Sequence, residues 1–334
     1  MPAPPERRGT LRSATILLGL AGLALGTALV AWFGFDHVLA SLQRVGWSGF
    51  AAYTAAQVLL FVTLALAWHT LTPNPGRQAM PIFVWARMVR DSVSQLLPFS
   101  PIAGFMVGAR VVALHGIAWP AAAAGTIVDM TAEFLAELAF VVLGLLILLA
   151  HAPNSDLVLP IGIGLALAGI AAACLIWLQR GAAGLISPLI RRLSRRWARQ
   201  AASRLDQVQS LVSRVYDHKL QLALGCTLHL LCWIGTGFAS WIAYRALGAP
   251  IPLPVAVAIE AMLHASMTAT FFVPGHVGVQ EAAYAGIGAI FGLPPEVSLS
   301  VSLLRRARDI VLGVPILLAW QALEVRRLRL AREG

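Results

Sequence analysis

Apolar positions run along this chain in long stretches, at about 14–35, 48–71, 121–150, 157–179, 220–247 and 296–322. A helix of roughly 20 apolar residues crosses the hydrocarbon core of a bilayer, so each stretch predicts a spanning helix. The first stretch also has the look of a secretory leader. Its apolar region is too long for one and no small-residue cleavage site follows it, so it is expected to be retained.

Between the long runs lie two segments of another texture. One runs Ser92-Val-Ser-Gln-Leu-Leu-Pro98-Phe-Ser-Pro101-Ile-Ala-Gly104, then apolar to Leu114 and on to Trp119-Pro120. The other runs Ser266-Met-Thr-Ala-Thr-Phe-Phe-Val-Pro274-Gly275-His-Val-Gly278, then apolar to Phe291 and on to Leu293-Pro294-Pro295. A constant offset of 174 places Ser92 on Ser266, Pro101 on Gly275, Gly104 on Gly278 and Pro120 on Pro294. Short hydrophobic segments broken by Pro and Gly at matching positions of two halves point to a transporter's binding site.

Charge supplies the sidedness. Arg7, Arg8 and Arg12 precede the first run; Arg180, Arg191, Arg192, Arg195, Arg196, Arg199, Arg204, Arg214 and Lys219 crowd the centre; Arg326, Arg327, Arg329 and Arg332 close the chain. The positive-inside rule puts all three regions in the cytoplasm, so both termini are expected there. The 151–156 loop has no Lys or Arg and is expected on the other face. Parity then requires 81–117 to start and finish on the cytoplasmic side and 254–292 on the outer side. Each is a re-entrant hairpin or a pair of short spans, and parity leaves both open. Trp32, Trp47, Trp68, Trp177, Trp241 and Trp320 fall near span ends, as an aromatic belt would place them.

Composition agrees. The chain is 58% hydrophobic and 12% charged, with a mean hydropathy of +0.77, against roughly 25% charged residues in soluble domains. A water-soluble fold is excluded. The expected fold is all-α: a polytopic membrane protein with about six full spans plus two broken hairpins, or about eight or more spans, in two inverted-topology repeats. Its plan is a tail at 1–13, one transmembrane domain at 14–325 and a basic tail at 326–334. Within the domain, repeat A covers about 48–150, a basic cytoplasmic linker 181–219 and repeat B about 220–322.

The linker reads as an amphipathic helix on the inner surface, where basic residues attract anionic headgroups at about 1 kcal/mol each. No aromatic-interleaved surface accompanies it, so nucleic acid is not an expected partner. Cys174, Cys226 and Cys232 lie in predicted spans at no metal or redox spacing, and read as packing residues.

Charge inside the bilayer costs roughly 2.5–3.5 kcal/mol per residue at a helix centre, so each case needs a reason. Asp129, Glu133 and Glu137 recur every four residues and share one helix face, which must point to protein or water. Arg87, Arg90 and Arg110, and Arg305, Arg306 and Arg308, are the candidate counter-charges, with Asp91 and Asp309 as local partners. The stripe is either an ion-pair network holding the bundle together or a polar pathway for a headgroup or proton. Gly275-His276-Val277-Gly278 opens a short helix with Glu281 in its first turn. Such an N-terminus attracts anions, while Glu281 has the simpler role of complementing the helix dipole. Glu260 and His264, one turn apart, are placed to meet His276; no third ligand has metal spacing. No P-loop, nucleophile elbow, His-Glu-x-x-His or Asp-rich metal motif occurs. Neither catalysis nor a cofactor is therefore expected.

Pro274-Gly275-His-Val-Gly278-Val-Gln-Glu281-Ala, followed by Gly292-Leu-Pro-Pro-Glu296, resembles the transmembrane region of lysylphosphatidylglycerol synthases and its stand-alone bacterial relatives, over about residues 10–325. His276 stands where a glycine is usual. Relatives follow a Leu-Pro with Gly-Glu and an Arg a turn later; here Leu97-Pro98 and Gly104 are present, Phe105 replaces the acid and Gly108 the arginine, with Arg110 two residues on. That variant, with Arg87-Met-Val-Arg90-Asp91-Ser92, Leu97-Pro98-Phe99-Ser100, Leu114-His115-Gly116 and Val128-Asp129-Met-Thr-Ala-Glu133, looks like the hopanoid-biosynthesis-associated subgroup.

The resemblance implies a lipid translocase or transport factor of the bacterial inner membrane, without the soluble aminoacyltransferase domain. Its partners would be membrane lipids, anionic or hopanoid-type, with lipid-biosynthesis enzymes and a homo-oligomer as further candidates. The candidate binding residues are Pro98, Pro101, Gly104, Arg110, Asp129, Glu133, Glu260, His264, Pro274, Gly275, His276, Gly278, Glu281 and Arg305. A membrane scaffold for lipid-synthesis enzymes and an intramembrane lipid-modifying enzyme, with Asp129, Glu133, His264 and His276 as acid–base groups, are the alternatives.

Overall fold

The computed structural model describes residues 35–76, 79–96, 100–153, 155–191, 196–270 and 273–333. The expected N-terminal tail, nearly all of the first predicted span, Pro98 and the linker residues 192–195 lie outside them. Ten α-helices carry the described chain: α1 Phe35–Leu71, α2 Met80–Leu96, α3 Ser100–Leu114, α4 Trp119–His151, α5 Val158–Arg191, α6 Arg196–Asp217, α7 Lys219–Ala246, α8 Leu253–Ala269, α9 Val279–Ile290 and α10 Pro295–Glu333. Four of them contain stretches long and apolar enough to cross a membrane: Gln43–Leu71, Trp119–His151, Val158–Gln179 and Lys219–Ala246. The protein is an all-α, multi-pass membrane protein.

One four-helix unit occurs twice: a long helix, a two-armed hairpin and a second long helix, as α1 to α4 and again as α7 to α10. The hairpin arms have 17 and 15 residues in the first unit and 17 and 12 in the second. At 1.5 Å per residue these are about 18–26 Å long, short of the roughly 30 Å of hydrocarbon. Each pair of arms packs on itself, as a re-entrant hairpin does. A matching turn launches the last helix of each unit. Gly116 (φ 97) and Gly292 (φ 75) take the left-handed conformation that stops the preceding arm, and Trp119-Pro120 and Pro294-Pro295 start the next helix with prolines whose missing N–H costs nothing there.

The units are interlocked. α1 packs along α7, while α4 packs on the hairpin arm α8 of the other unit and α10 packs on the arm α2. Close approach there depends on missing side chains. A Cβ on Gly144 of α4 would press into Ala261 of α8, and one on Gly313 of α10 would lie 2.6 Å from Leu96 Cδ1 of α2. Small residues at helix interfaces are how membrane helices gain packing where lipid offers no hydrophobic drive.

Three sequence expectations change. The basic linker is not one helix, because α5 continues through residues 181–191 and only Arg196–Asp217 forms the amphipathic α6. Its apolar side, Val212, Val215 and Tyr216, is buried against Leu71, Ala124 and Val128 of the bundle. The final span is part of a 39-residue helix interrupted by Arg305, Arg306, Arg308 and Asp309, which the bundle shields. Trp68 is fully buried rather than in a belt, whereas Trp47 and Trp177 are exposed as a belt requires.

Gly144→Leu and Gly313→Leu should each destabilise the protein by about 1–3 kcal/mol through overpacking. Gly169→Leu, where an added Cβ meets nothing within 4 Å, should change little; thermal unfolding in detergent reads the difference.

Candidate functional site

Two clusters of charge meet between the interlocked units. In the first, α2 presents Arg87 and Arg90 on one face, one turn apart, toward Asp129 and Glu133 on one face of α4. Arg90 Nη1 donates to Asp129 Oδ2 at 2.5 Å, and its other terminal nitrogen pairs with Glu133. Arg87 makes a two-pronged contact with Glu133, at 2.6 and 3.2 Å, and holds Asp91 at 2.9 Å. Asp129 has no exposed surface and Arg90 is 2% exposed. Asp129 also faces His229 of α7, with Oδ1 2.9 Å from Nε2.

The second cluster has the signs exchanged. Here the hairpin arm α8 carries the carboxylate, Glu260, and the long helix α10 carries the arginines. Arg305 Nη1 donates to Glu260 Oε2 at 2.8 Å, and Ser240 and Tyr284 hydroxyls each donate to Oε1 at 2.5 Å. His264 Nε2 lies 3.3 Å from Arg305 Nη2. Arg308 binds Asp309 at 2.7 Å and the Tyr53 hydroxyl of α1 at 3.1 Å. Every charged group named in either cluster has a partner, which is the condition for burying it.

Both clusters line one cavity of about 540 Å³, along with Gln57, Phe105, Trp233 and Glu137. Glu137, the third member of the stripe, has no cation partner among the described residues and accepts instead from Thr268 Oγ1 at 2.6 Å. Among these residues no group of three His, Cys, Asp or Glu side chains is arranged to hold a metal ion.

The broken loop of the second hairpin is self-contained. Gly275 and Gly278 have φ of 59° and 81°, a region that glycine enters without strain. Gly278 N–H donates to Glu281 Oε2 at 2.8 Å. Arg306 then pairs with Glu281 at 2.5 Å and donates to the carbonyls of Gly275 and His276 at 3.3 and 3.2 Å. The helix N-terminus is thus occupied by the chain's own carboxylate rather than open to an anion, and Glu281 has its dipole-complementing role.

Of the sequence candidates, Glu133, Glu260, His264 and Arg305 come together around the cavity, and Asp129 lies fully buried behind its wall, bound to Arg90. Gly104 serves packing: an added Cβ would lie 2.7 Å from the Arg90 carbonyl oxygen, so the arms α2 and α3 cross closely there. Pro101 lies in the first turn of α3 and Pro274 opens a short 3-10 turn. Arg110 stands apart, half-exposed and paired with Glu324 near the end of α10. His276 does not join Glu260 and His264 through any hydrogen bond; its partner is Arg306, through the backbone.

The family model for the lysylphosphatidylglycerol synthase TM region matches residues 19–316. This chain belongs to that family. No curated protein and no solved structure matches it.

Within this lysylphosphatidylglycerol synthase transmembrane-region protein, Phe105 and His276 have a physical reading. Phe105 lies under Arg90 with its ring centroid 3.8 Å from the guanidinium carbon. Cation–π attraction there adds to the ion pairs of that arginine with Asp129 and Glu133. His276 has φ 48°, a left-handed conformation that glycine adopts more cheaply. The sequence reading missed His229, Tyr53, Ser240, Tyr284 and Trp233. The available signal was an ionisable or hydrogen-bonding side chain inside an apolar run, as His229 is in α7.

Arg305→Gln should lower stability by about 3–5 kcal/mol by stripping Glu260 of its counter-charge. Adding Glu260→Gln should recover most of that loss, as read by unfolding in detergent. His276→Gly should raise stability by about 1 kcal/mol through relief of the left-handed backbone.

Proposed function

We propose that this protein is a lipid translocase or transport factor of the bacterial cytoplasmic membrane, carrying anionic or hopanoid-type lipids. The observation that carries the proposal is the cavity between the two units of a membrane-embedded bundle, lined by charged side chains of both. A headgroup crossing hydrocarbon needs polar partners that replace water, and the cavity offers carboxylates, guanidinium groups and hydroxyls. The re-entrant hairpins supply the short broken helices on which transporters of inverted topology build their sites.

The packing suits alternating access. The buried Arg–carboxylate pairs lie inside single units, Arg87 and Arg90 with α4, Arg305 with α8. Contacts crossing between units include Arg308 donating to the Tyr53 hydroxyl at 3.1 Å, Trp233 Nε1 donating to the Glu133 carbonyl at 3.3 Å, and His229 Nε2 lying 2.9 Å from Asp129 Oδ1. Rocking one unit against the other therefore leaves those ion pairs intact while changing which side the cavity faces. The basic segments place both termini in the cytoplasm on this reading. No catalytic role is assigned to the cavity.

In vesicles containing the purified protein, Glu133→Gln and Glu260→Gln should slow movement of a fluorescent headgroup-labelled phospholipid between leaflets at least tenfold. Arg110→Ala should not. Equal rates in all variants and in protein-free vesicles would remove the proposal. In cells, a deletion strain should keep its total lipids but distribute them differently between inner and outer membranes. Loss of one lipid species would indicate an enzyme instead, and no change at all a scaffold.

A further inference from the structure

A second cavity, of about 590 Å³, opens beside the charged one and shares Phe134 and Glu137 with it as a common wall. Its lining is apolar, including Leu138 and Val141 of α4, Ile161 and Leu165 of α5, Ala265 of α8 and Ile287 of α9. The few polar side chains on its walls are already engaged. Ser266 donates to the Met262 carbonyl at 2.9 Å, and Thr268 donates to Glu137. Nothing there welcomes a polar ligand.

α5 forms the loose side of this groove. Its packing partners are α4 and α6, and Ile163, Leu167 and Ile170 on its other surfaces are exposed. The gap between α5 and the hairpin arms α8 and α9 is therefore a lateral opening toward hydrocarbon. Polar cavity, carboxylate neck and apolar groove follow one another in the order of an amphiphile's own parts.

We infer that the groove between α4, α5, α8 and α9 binds the hydrocarbon tail of the lipid whose headgroup enters the charged cavity, with Glu137 and Thr268 forming the neck between them. The inference rests on the lipid-translocation reading and adds the tail site and the route of lateral entry. Its volume suits a single hydrocarbon moiety, within the roughly 300–1,000 Å³ of sites that enclose most of a small ligand.

Two glycines make a clean test. An added Cβ at Gly164 of α5 or Gly286 of α9 meets nothing within 4 Å, and both residues line the groove. Gly162 has the same open surroundings but lies outside the lining. Tryptophan at 164 or 286 should fill the groove without disturbing the fold, and an unchanged size-exclusion profile checks this.

The full chain is reconstituted in vesicles of phosphatidylethanolamine and phosphatidylglycerol containing a trace of phosphatidylglycerol with a tail diazirine. After illumination, adducts are mapped by peptide mass spectrometry. Gly164→Trp and Gly286→Trp should each reduce adducts on groove residues at least fivefold, and Gly162→Trp should leave them unchanged. Equal labelling in all three would mean annular lipid contact only and would overturn the inference. Leaflet exchange measured in the same vesicles separates the two readings. Labelling that responds to the tryptophans without any lipid movement keeps the tail site and removes translocation. Movement with unresponsive labelling does the reverse.

Discussion

A charge surrounded by hydrocarbon must be neutralised by a partner held at hydrogen-bond distance, and the architecture of this protein is organised around that demand. Arg90 and Asp129, neither with appreciable exposure, satisfy each other, and Glu260 and Arg305 do the same in the other unit. Removing Arg305 would leave Glu260 without a counter-charge, and removing Arg90 would leave Asp129 with only the longer 3.9 Å approach of Arg87 and the contact with His229. The pairs consequently fix how each hairpin arm sits on its long helix. They also place charged side chains of both units around one cavity inside the bundle.

The exchange of signs between the units adds a feature that simple duplication would not have. In one unit the hairpin arm is cationic and the long helix anionic; in the other the assignment is reversed. The cavity between them is therefore charge-compensated by groups from both units rather than dominated by one field. Arginine–carboxylate compensation lies within each unit, while the buried boundary is crossed by close glycine contacts and by hydrogen bonds, among them the fully buried contact of His229 with Asp129. At its rim, Arg110 and Glu324 do cross between units, but in a more exposed setting where such a pair contributes about 0–1 kcal/mol.

Phe105 presents an aromatic face to Arg90, which helps hold the arginine without adding a charge to the cavity. The second hairpin keeps its glycine-bounded loop, but Arg306 and Glu281 bind it back onto the protein. The loop is thus held as a structural turn of the hairpin, and the charged groups that line the cavity come from α2, α4, α8 and α10.

Hydrophobic run length, charge placement and the recurrence of Pro- and Gly-broken segments were enough to reveal the membrane class, the two repeats and the inward direction of the Asp129–Glu133 stripe. These are properties of the solvent: a bilayer admits few backbone solutions, and a stripe at four-residue spacing has only one affordable direction to face. The folded chain shows each broken segment as two short helices packed on one another, an arrangement that run lengths alone do not record. Only the tertiary structure could choose among six arginines for the carboxylates, placing Arg110 outside the site and bringing His229 and Tyr53 toward it across 100 and 255 residues of sequence. Pairing is decided by which helix faces meet, and helix crossing depends on side-chain volumes summed over whole interfaces. No local pattern in the chain records that sum.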